Sequence, residues 1–417
     1  MSNLRLSASR LVGPTNIGLR VASMVAKLLL MAFLAQSLGL EGVGIYGLIV
    51  GVSVVYNNFS QFGARLTVVR DIASNEENRI SIVSDHIIGC ILFFALFSLP
   101  TFLTISWITS ETGTILAIIV IMVMLFECLA NECYYLLIAL GRSTMANIAF
   151  FVRNGLWAYI FIIAGLFSQE NVTLQSLMIF WLVGAFAAIV VSLHALNRSA
   201  GFQFDLSGLA GRSWDRAKAS IGLWIGACAL VVSTYVDRFT LGAFSDGTSL
   251  GAYVLLWTAL NAIQLLVQVG LLQPALPALI RANRENAEWK AILEKSLRKR
   301  MILTSAPLLL CGVALLTAAK IAVPGASFIP IPELLIMAVA TLVRIDADWQ
   351  YNTLYAGTKD SSLGLNLAFI LAGQIASSAL LVSVLGLTGG AISQLCYSLV
   401  LWLTLQHATS RNRRATH

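Results

Sequence analysis

Runs of predominantly apolar residues, each long enough to cross a bilayer, recur from residue 17 to residue 407, and they constrain the fold more than any motif. A helix crosses the hydrocarbon core with about twenty residues, so each such window predicts a span. The windows fall near 17–38, 44–64, 82–105, 113–138, 145–167 and 174–196, then near 217–242, 250–272, 301–319, 333–355, 362–385 and 388–407. The expectation is an all-α integral membrane protein of about twelve transmembrane helices. Composition agrees: 58% of the residues are hydrophobic and only 11% charged, where soluble domains carry roughly a quarter. No stretch is left over for a separate soluble domain. The first run leads straight into a second span, unlike a cleavable signal.

The net charge of +7 could indicate nucleic acid, but its distribution excludes that reading. Basic residues collect in alternate loops: Arg5 and Arg10; Arg70 and Arg79; Arg142; Arg198, Arg212 and Arg216; Arg281 through Arg300; Lys359; then Arg411, Arg413 and Arg414. The intervening loops hold Lys320 and the acids Glu41, Glu111, Glu170 and Asp246. By the positive-inside rule both termini are cytoplasmic, as an even span count requires. The stretch 273–300 carries charges at helical spacing, which reads either as a helix lying on anionic headgroups or as a solvated loop. The cysteines Cys90, Cys128, Cys133, Cys228, Cys311 and Cys396 all fall in apolar runs without metal-ligand spacing and read as packing residues.

Six spans, a linker and six more spans suggest duplication. The expected division is an N-terminal six-helix bundle at 1–198, a cytoplasmic linker at 199–216 and a C-terminal bundle at 217–417. A short internal match supports it: Gly44-Ile45-Tyr46 leads into the second span and Gly251-Ala252-Tyr253 into the eighth, with Gln61 and Gln268 at the same offset. Both strings are expected in loops outside the membrane, with a pseudo-axis along the membrane normal.

Ionisable residues in hydrocarbon cost roughly 2.5–3.5 kcal/mol each on insertion scales, so those inside spans need a reason. Arg20 and Lys27 are seven apart in the first span and share a helical face. Arg153 lies in the fifth span, Asp237-Arg238 in the seventh, and Arg344, Asp346 and Asp348 in the tenth. Arg344 and Asp348 are spaced to neutralise each other, whereas Lys27 and Arg153 have no acidic partner on their own helices. Those two are the leading candidates for a positively charged cavity, with Arg20, Arg238 and Arg344 behind them. Glu127 and Glu132 in the fourth span are candidates for ion coupling, together with Asp237, Asp346 and Asp348, or for pairing with Lys27 or Arg153. Two amide stripes, Asn57, Asn58 and Gln61 in one half and Asn261, Gln264 and Gln268 in the other, suit either interhelical hydrogen bonding or a shared polar cavity. No catalytic constellation, nucleotide loop, cofactor motif or metal site is apparent, so no enzyme activity is expected.

Several short strings, in order along most of the chain, resemble those of polysaccharide-biosynthesis flippases. Leu38-Gly39-Leu40-Glu41-Gly42-Val43-Gly44-Ile45-Tyr46-Gly47 resembles the loop between that family's first two helices. Gln61-Phe62-Gly63 with Arg70-Asp71-Ile72-Ala73 is similar to the end of its second helix, and Ala139-Leu140-Gly141-Arg142 to the turn after its fourth. Asp237-Arg238-Phe239-Thr240-Leu241-Gly242 followed by Gly251-Ala252-Tyr253 resembles helices seven and eight. Leu40 stands where proline is usual and Gln61 where aspartate is usual. These are the Wzx-type O-antigen flippases of the MOP superfamily, which also holds the MATE exporters and lipid II flippases.

The resemblance implies two bundles related by a MATE-like pseudo-two-fold repeat in a bacterial inner membrane. It also implies translocation of undecaprenyl-pyrophosphate-linked oligosaccharide, for O-antigen or a similar surface polysaccharide, from the cytoplasmic to the periplasmic leaflet. The implied partners are that lipid-linked substrate, membrane lipids and other polysaccharide-assembly membrane proteins, with no nucleic acid. Competing readings are a MATE-like multidrug or small-molecule antiporter, a major-facilitator transporter, whose basic loop pattern after the second span is missing, and a non-transporting scaffold.

Overall fold

The computed structural model describes residues 2–61, 68, 72, 79–108, 113–199, 209–272, 279, 287–322, 330–357 and 362–415. In lipid the backbone must satisfy its own hydrogen bonds, and all the long elements among the described residues are helices. They are α1 (Ser2–Ser37), α2 (Gly39–Ser60), α3 (Arg79–Ile108), α4 (Thr114–Ala139), α5 (Ser143–Phe167), α6 (Leu174–Ser199), α7 (Leu209–Phe244), α8 (Gly247–Leu272), α9 (Ala287–Ala322), α10 (Ile331–Gly357) and α11 (Ser362–Ala415).

Ten segments among the described residues are long and apolar enough to cross a membrane. The last, Asn366–Ser410, is 45 residues long and holds two spans, because Gly386 at φ 55° breaks the helix into two rods. Only a residue without a Cβ takes that φ freely. α10 has span length but carries Glu333, Arg344, Asp346 and Asp348, so hydropathy alone passes over it. With that helix and the divided α11, the count is twelve.

The chain forms two compact units, Met1–Val231 and Val232–His417. The division falls within α7, while residues 200–208 of the expected linker lie outside the described residues. In the first unit α4 packs along α6 and α3, and α1 lies against α5. The early part of α7 belongs here too: the Trp224 indole donates to the Asn58 carbonyl at 3.2 Å and its ring meets Phe59 edge-on. In the second unit α10 packs extensively on α11, and α8 on α9 and α10.

Three expectations change. The glycine-tyrosine strings are not in loops: α1 ends at Ser37 and α2 starts at Gly39, so Tyr46 is buried inside α2 and Tyr253 inside α8. The stretch from Ala287 is helical, but it runs without interruption into the span and is no separate surface helix; 280–286 lie outside the described residues. Of the cysteines, four are buried and Cys311 and Cys396 are exposed on apolar helices. The motif residues Phe62, Gly63, Arg70, Asp71 and Ala73 lie outside the described residues.

Candidate functional site

Three helices of the first unit converge on a cluster of charges. α1 carries Arg20 and Lys27, α4 carries Glu127, Asn131 and Tyr134, and α5 carries Asn147 and Arg153. The last of these sits in a π turn, Val152–Leu156. Such single-turn bulges rotate the helix beyond them and recur at functional sites. Trp157 Nε1 donates to the Arg153 carbonyl at 2.7 Å within the bulge. A Cβ on Gly155 would stand 3.0 Å from the Ser23 Cα, so glycine is what lets the bulge press against α1. Tyr159 fastens the same pair of helices by donating to the Ala22 carbonyl at 2.9 Å.

Arg153 is 8% exposed. It donates from Nη1 to Asn131 Oδ1 at 3.0 Å and forms an ion pair from Nε to Glu127 at 3.5 Å. Glu127 also accepts from Trp181 Nε1 at 2.7 Å. Arg20 donates from Nε to Asn147 Oδ1 at 3.0 Å and from Nη2 to the Tyr134 hydroxyl, with its guanidinium over the Phe150 and Tyr134 rings. Lys27 shares an electrostatic field with Glu127 and Arg153, yet its side chain is exposed. Among the described residues its ammonium has no hydrogen bond or ion pair. The cluster therefore sets three cations against one carboxylate. The neighbouring amide stripe is open as well: Asn57 Oδ1 and Gln61 Nε2 are buried without partners, and Asn58 donates to its own helix at the Val54 carbonyl.

Glu132, one turn along α4, belongs to a different group. Its carboxylate meets His86 Nε2 of α3 at 2.8 Å, with Cys90 Sγ 3.8 Å from the same nitrogen. The three ligand-type atoms lie within 4.8 Å of one another, a grouping that the linear cysteine spacing hides.

In the second unit the carboxylates Asp348, Asp346 and Asp237 are satisfied by neighbours. Asp348 accepts from Gln264 at 2.6 Å, from Gln268 at 2.7 Å and from Arg344 Nε at 3.1 Å. Asp346 accepts two bonds from Arg298, at 2.7 and 2.6 Å, with Gln350 at 3.0 Å and Trp402 Nε1 at 2.6 Å. It thereby ties α9, α10 and α11 together. Asp237 accepts from the Tyr253 hydroxyl and from the Arg238 backbone N–H at 2.9 Å. Arg238 differs: it is 2% exposed, its guanidinium lies 3.6 Å from the Trp257 ring centre, and its Nε and Nη2 have no partner. Asn261 is half-buried on α8.

Of the residues singled out from sequence, the fold brings Arg20, Lys27, Arg153 and Glu127 into one cluster. Glu132 joins His86, and Gln264, Gln268, Arg344 and Asp348 form one network. Asn147, Trp181, His86 and Trp257 escaped the sequence reading, because an amide, an indole or a histidine in an apolar run carries no partner in its spacing.

The described residues form a many-spanned helical membrane fold in two units, with cations embedded in its spans. Solved structures share the fold. The lipid II flippase MurJ, in an inward-closed conformation, superposes with a TM-score of 0.70 at 11% identity, over 93% of this chain and 86% of that one. A MATE structure in complex with MaD5 gives 0.65 at 14% identity, covering 97% and 96%. MATE in its bent conformation gives 0.60 at 13%, covering 97% and 94%. No curated protein matches the chain. The family profile described as polysaccharide biosynthesis protein matches residues 16–282, and the chain belongs to that family.

Proposed function

We propose that the protein is a flippase for polyprenyl-pyrophosphate-linked oligosaccharide, an O-antigen or similar surface-polysaccharide repeat unit. It would carry this substrate from the cytoplasmic to the periplasmic leaflet of a bacterial inner membrane by alternating access, with both termini cytoplasmic. The observation that carries this reading is Lys27: an ammonium with no hydrogen bond or ion pair among the described residues, exposed beside the buried Arg153–Glu127 pair. A pyrophosphate needs compensating cations to leave water, and the cluster holds an excess of them. Lys27 would bind the pyrophosphate directly, Arg153 and Arg20 would shape the field, and the open amide atoms of Asn57 and Gln61 would meet sugar hydroxyls. Arg238 and Arg344 would serve a second contact in the other unit, and the acids Glu127, Glu132, Asp237, Asp346 and Asp348 are the groups available for ion coupling.

The test is complementation of a bacterium lacking its own O-antigen flippase. Wild-type protein should restore surface glycan and clear the lipid-linked repeat units trapped in the cytoplasmic leaflet. K27Q, inserted at the wild-type level, should leave them trapped. Full restoration by K27Q would remove the pyrophosphate from this cluster. No restoration by wild type with its cognate oligosaccharide present would favour a MATE-like antiporter, to be checked by drug efflux.

A further inference from the structure

Between α9, α10 and α11 a cavity of about 920 Å³ opens where the basic part of α9 gives way to its apolar part. Its walls are unlike those of the cluster in the first unit. Lys295 and Lys299 line it, both exposed and one helical turn apart. Like charges at that spacing repel, unless an anion sits between them. Arg298 also lines it but is already held by both oxygens of Asp346. Glu294, 7% exposed, is the carboxylate in the wall. Three cations against Glu294 and Asp346 leave one net positive charge.

From α10 and α11 the lining takes Thr353, Thr409 and Ser410. Each spends its hydroxyl hydrogen on a backbone carbonyl: Thr353 on Gln350 at 2.8 Å, Thr409 on Leu405 at 2.8 Å and Ser410 on His407 at 2.8 Å. Their oxygens remain as acceptors beside the exposed Gln406 amide, which suits a ligand that brings hydroxyl donors. One turn further into the span stand Ile302 and Leu303, 39% and 62% exposed, and they also line the cavity. A singly anionic head, a polyol beyond it and an apolar tail correspond to these three regions in order.

We propose that this cavity is a binding site for an anionic phospholipid with a hydroxylated headgroup, of the phosphatidylglycerol type. The phosphodiester sits between Lys295 and Lys299, the headgroup hydroxyls donate to the threonine and serine oxygens, and the acyl chains leave past Ile302 and Leu303. Phosphatidylethanolamine is disfavoured, because its ammonium would enter a pocket that is already positive. Basic pockets between helices at the membrane interface commonly hold anionic lipids. The site does not depend on what the protein transports.

The experiment is native mass spectrometry of the full-length protein in detergent, titrated with phosphatidylglycerol or phosphatidylethanolamine, following the tightest lipid adduct. Phosphatidylglycerol should saturate one site that phosphatidylethanolamine fills at least about tenfold more weakly. K295Q/K299Q should lose this preference while melting as wild type does, and K295R/K299R should keep it. Equal binding of the two lipids would overturn the proposal, as would an unchanged preference in the glutamine variant. Displacement by millimolar inorganic phosphate would reassign the site to a free anion, and displacement by equimolar polyprenyl pyrophosphate would reassign it to substrate.

Discussion

The two units carry embedded charge in opposite ways. In the first unit Lys27 has no hydrogen bond or ion pair among the described residues, Asn57 Oδ1 and Gln61 Nε2 are buried without a hydrogen bond, and Arg153 is loosely paired at 3.5 Å. In the second unit the corresponding amides, Gln264 and Gln268, are both committed to Asp348, which also neutralises Arg344. The same stripe of amides thus holds buried, unsatisfied atoms in one unit and serves as a fastening in the other. A duplicated fold need not duplicate its chemistry. In the second unit Asp348 draws the amides and Arg344 together, while in the first unit Glu127 pairs with Arg153 and engages no amide of the Asn57 stripe among the described residues.

If that contrast holds, the largest loss of stability should come from the second unit. D348A strands Arg344, Gln264 and Gln268 together. Removing one partner of a buried pair costs about 3–5 kcal/mol. Thermal unfolding in detergent should show a drop of several degrees, and D348N a smaller one. A D348A protein as stable as wild type would mean the network is no fastening.

R153Q should come next, since among the described residues it leaves Glu127 with Trp181 as its one hydrogen-bond donor. The cost should approach about 3 kcal/mol, and E127Q/R153Q should recover most of it in the same unfolding assay. Non-recovery would show that Arg153 acts mainly through Asn131 and the π turn rather than through the ion pair.

Arg238 sharpens the comparison from the other side, being a cation in the second unit with unmet donors. Replacing a poorly paired buried ion with a packed apolar residue is often neutral or stabilising by roughly 1 kcal/mol or more. R238M should therefore melt at or above the wild-type temperature, while restoring less surface glycan. A large destabilisation would instead assign the residue to packing on Trp257.

How much of this was legible beforehand follows from sequence distance. The spans could be read because apolar length is a local property, and Arg344 with Asp348 could be paired because one turn separates them. The first-unit cluster could be only half read. The shared face of Arg20 and Lys27 lies within one helix, but Arg20 finds Tyr134 and Asn147 at separations of 114 and 127 residues. Asp346 finds Arg298 and Trp402 at separations of 48 and 56 residues, partners that its own helix does not reveal. The π turn at Arg153 arises from packing and leaves no mark in periodicity, whereas the break at Gly386 falls where the expected spans 362–385 and 388–407 meet.

The smallest effect concerns how the two tyrosine-bearing helices begin. Asp246, extended at φ −76° and ψ 159°, caps α8 by accepting from the Ser249 N–H at 2.6 Å, and the Ser249 hydrogen bonds hold its carboxyl below the usual range. Leu38, before α2, has helical angles and no side-chain cap. A lost N-cap costs about 1 kcal/mol in general, and the exposure of Asp246 reduces this to a few tenths. Because the folded carboxyl titrates below the unfolded one, at about 3.9, the stabilisation is complete above that pH and is lost as pH falls through the folded value. The melting gap between wild type and D246A should thus be constant from about pH 5 to 8 and close below about pH 4. L38D should gain nothing at any pH, because a cap needs extended backbone and Leu38 does not have it. A gain in L38D equal to the loss in D246A would show that the two helix starts are interchangeable, and the contrast between the units would then be confined to their charged interiors.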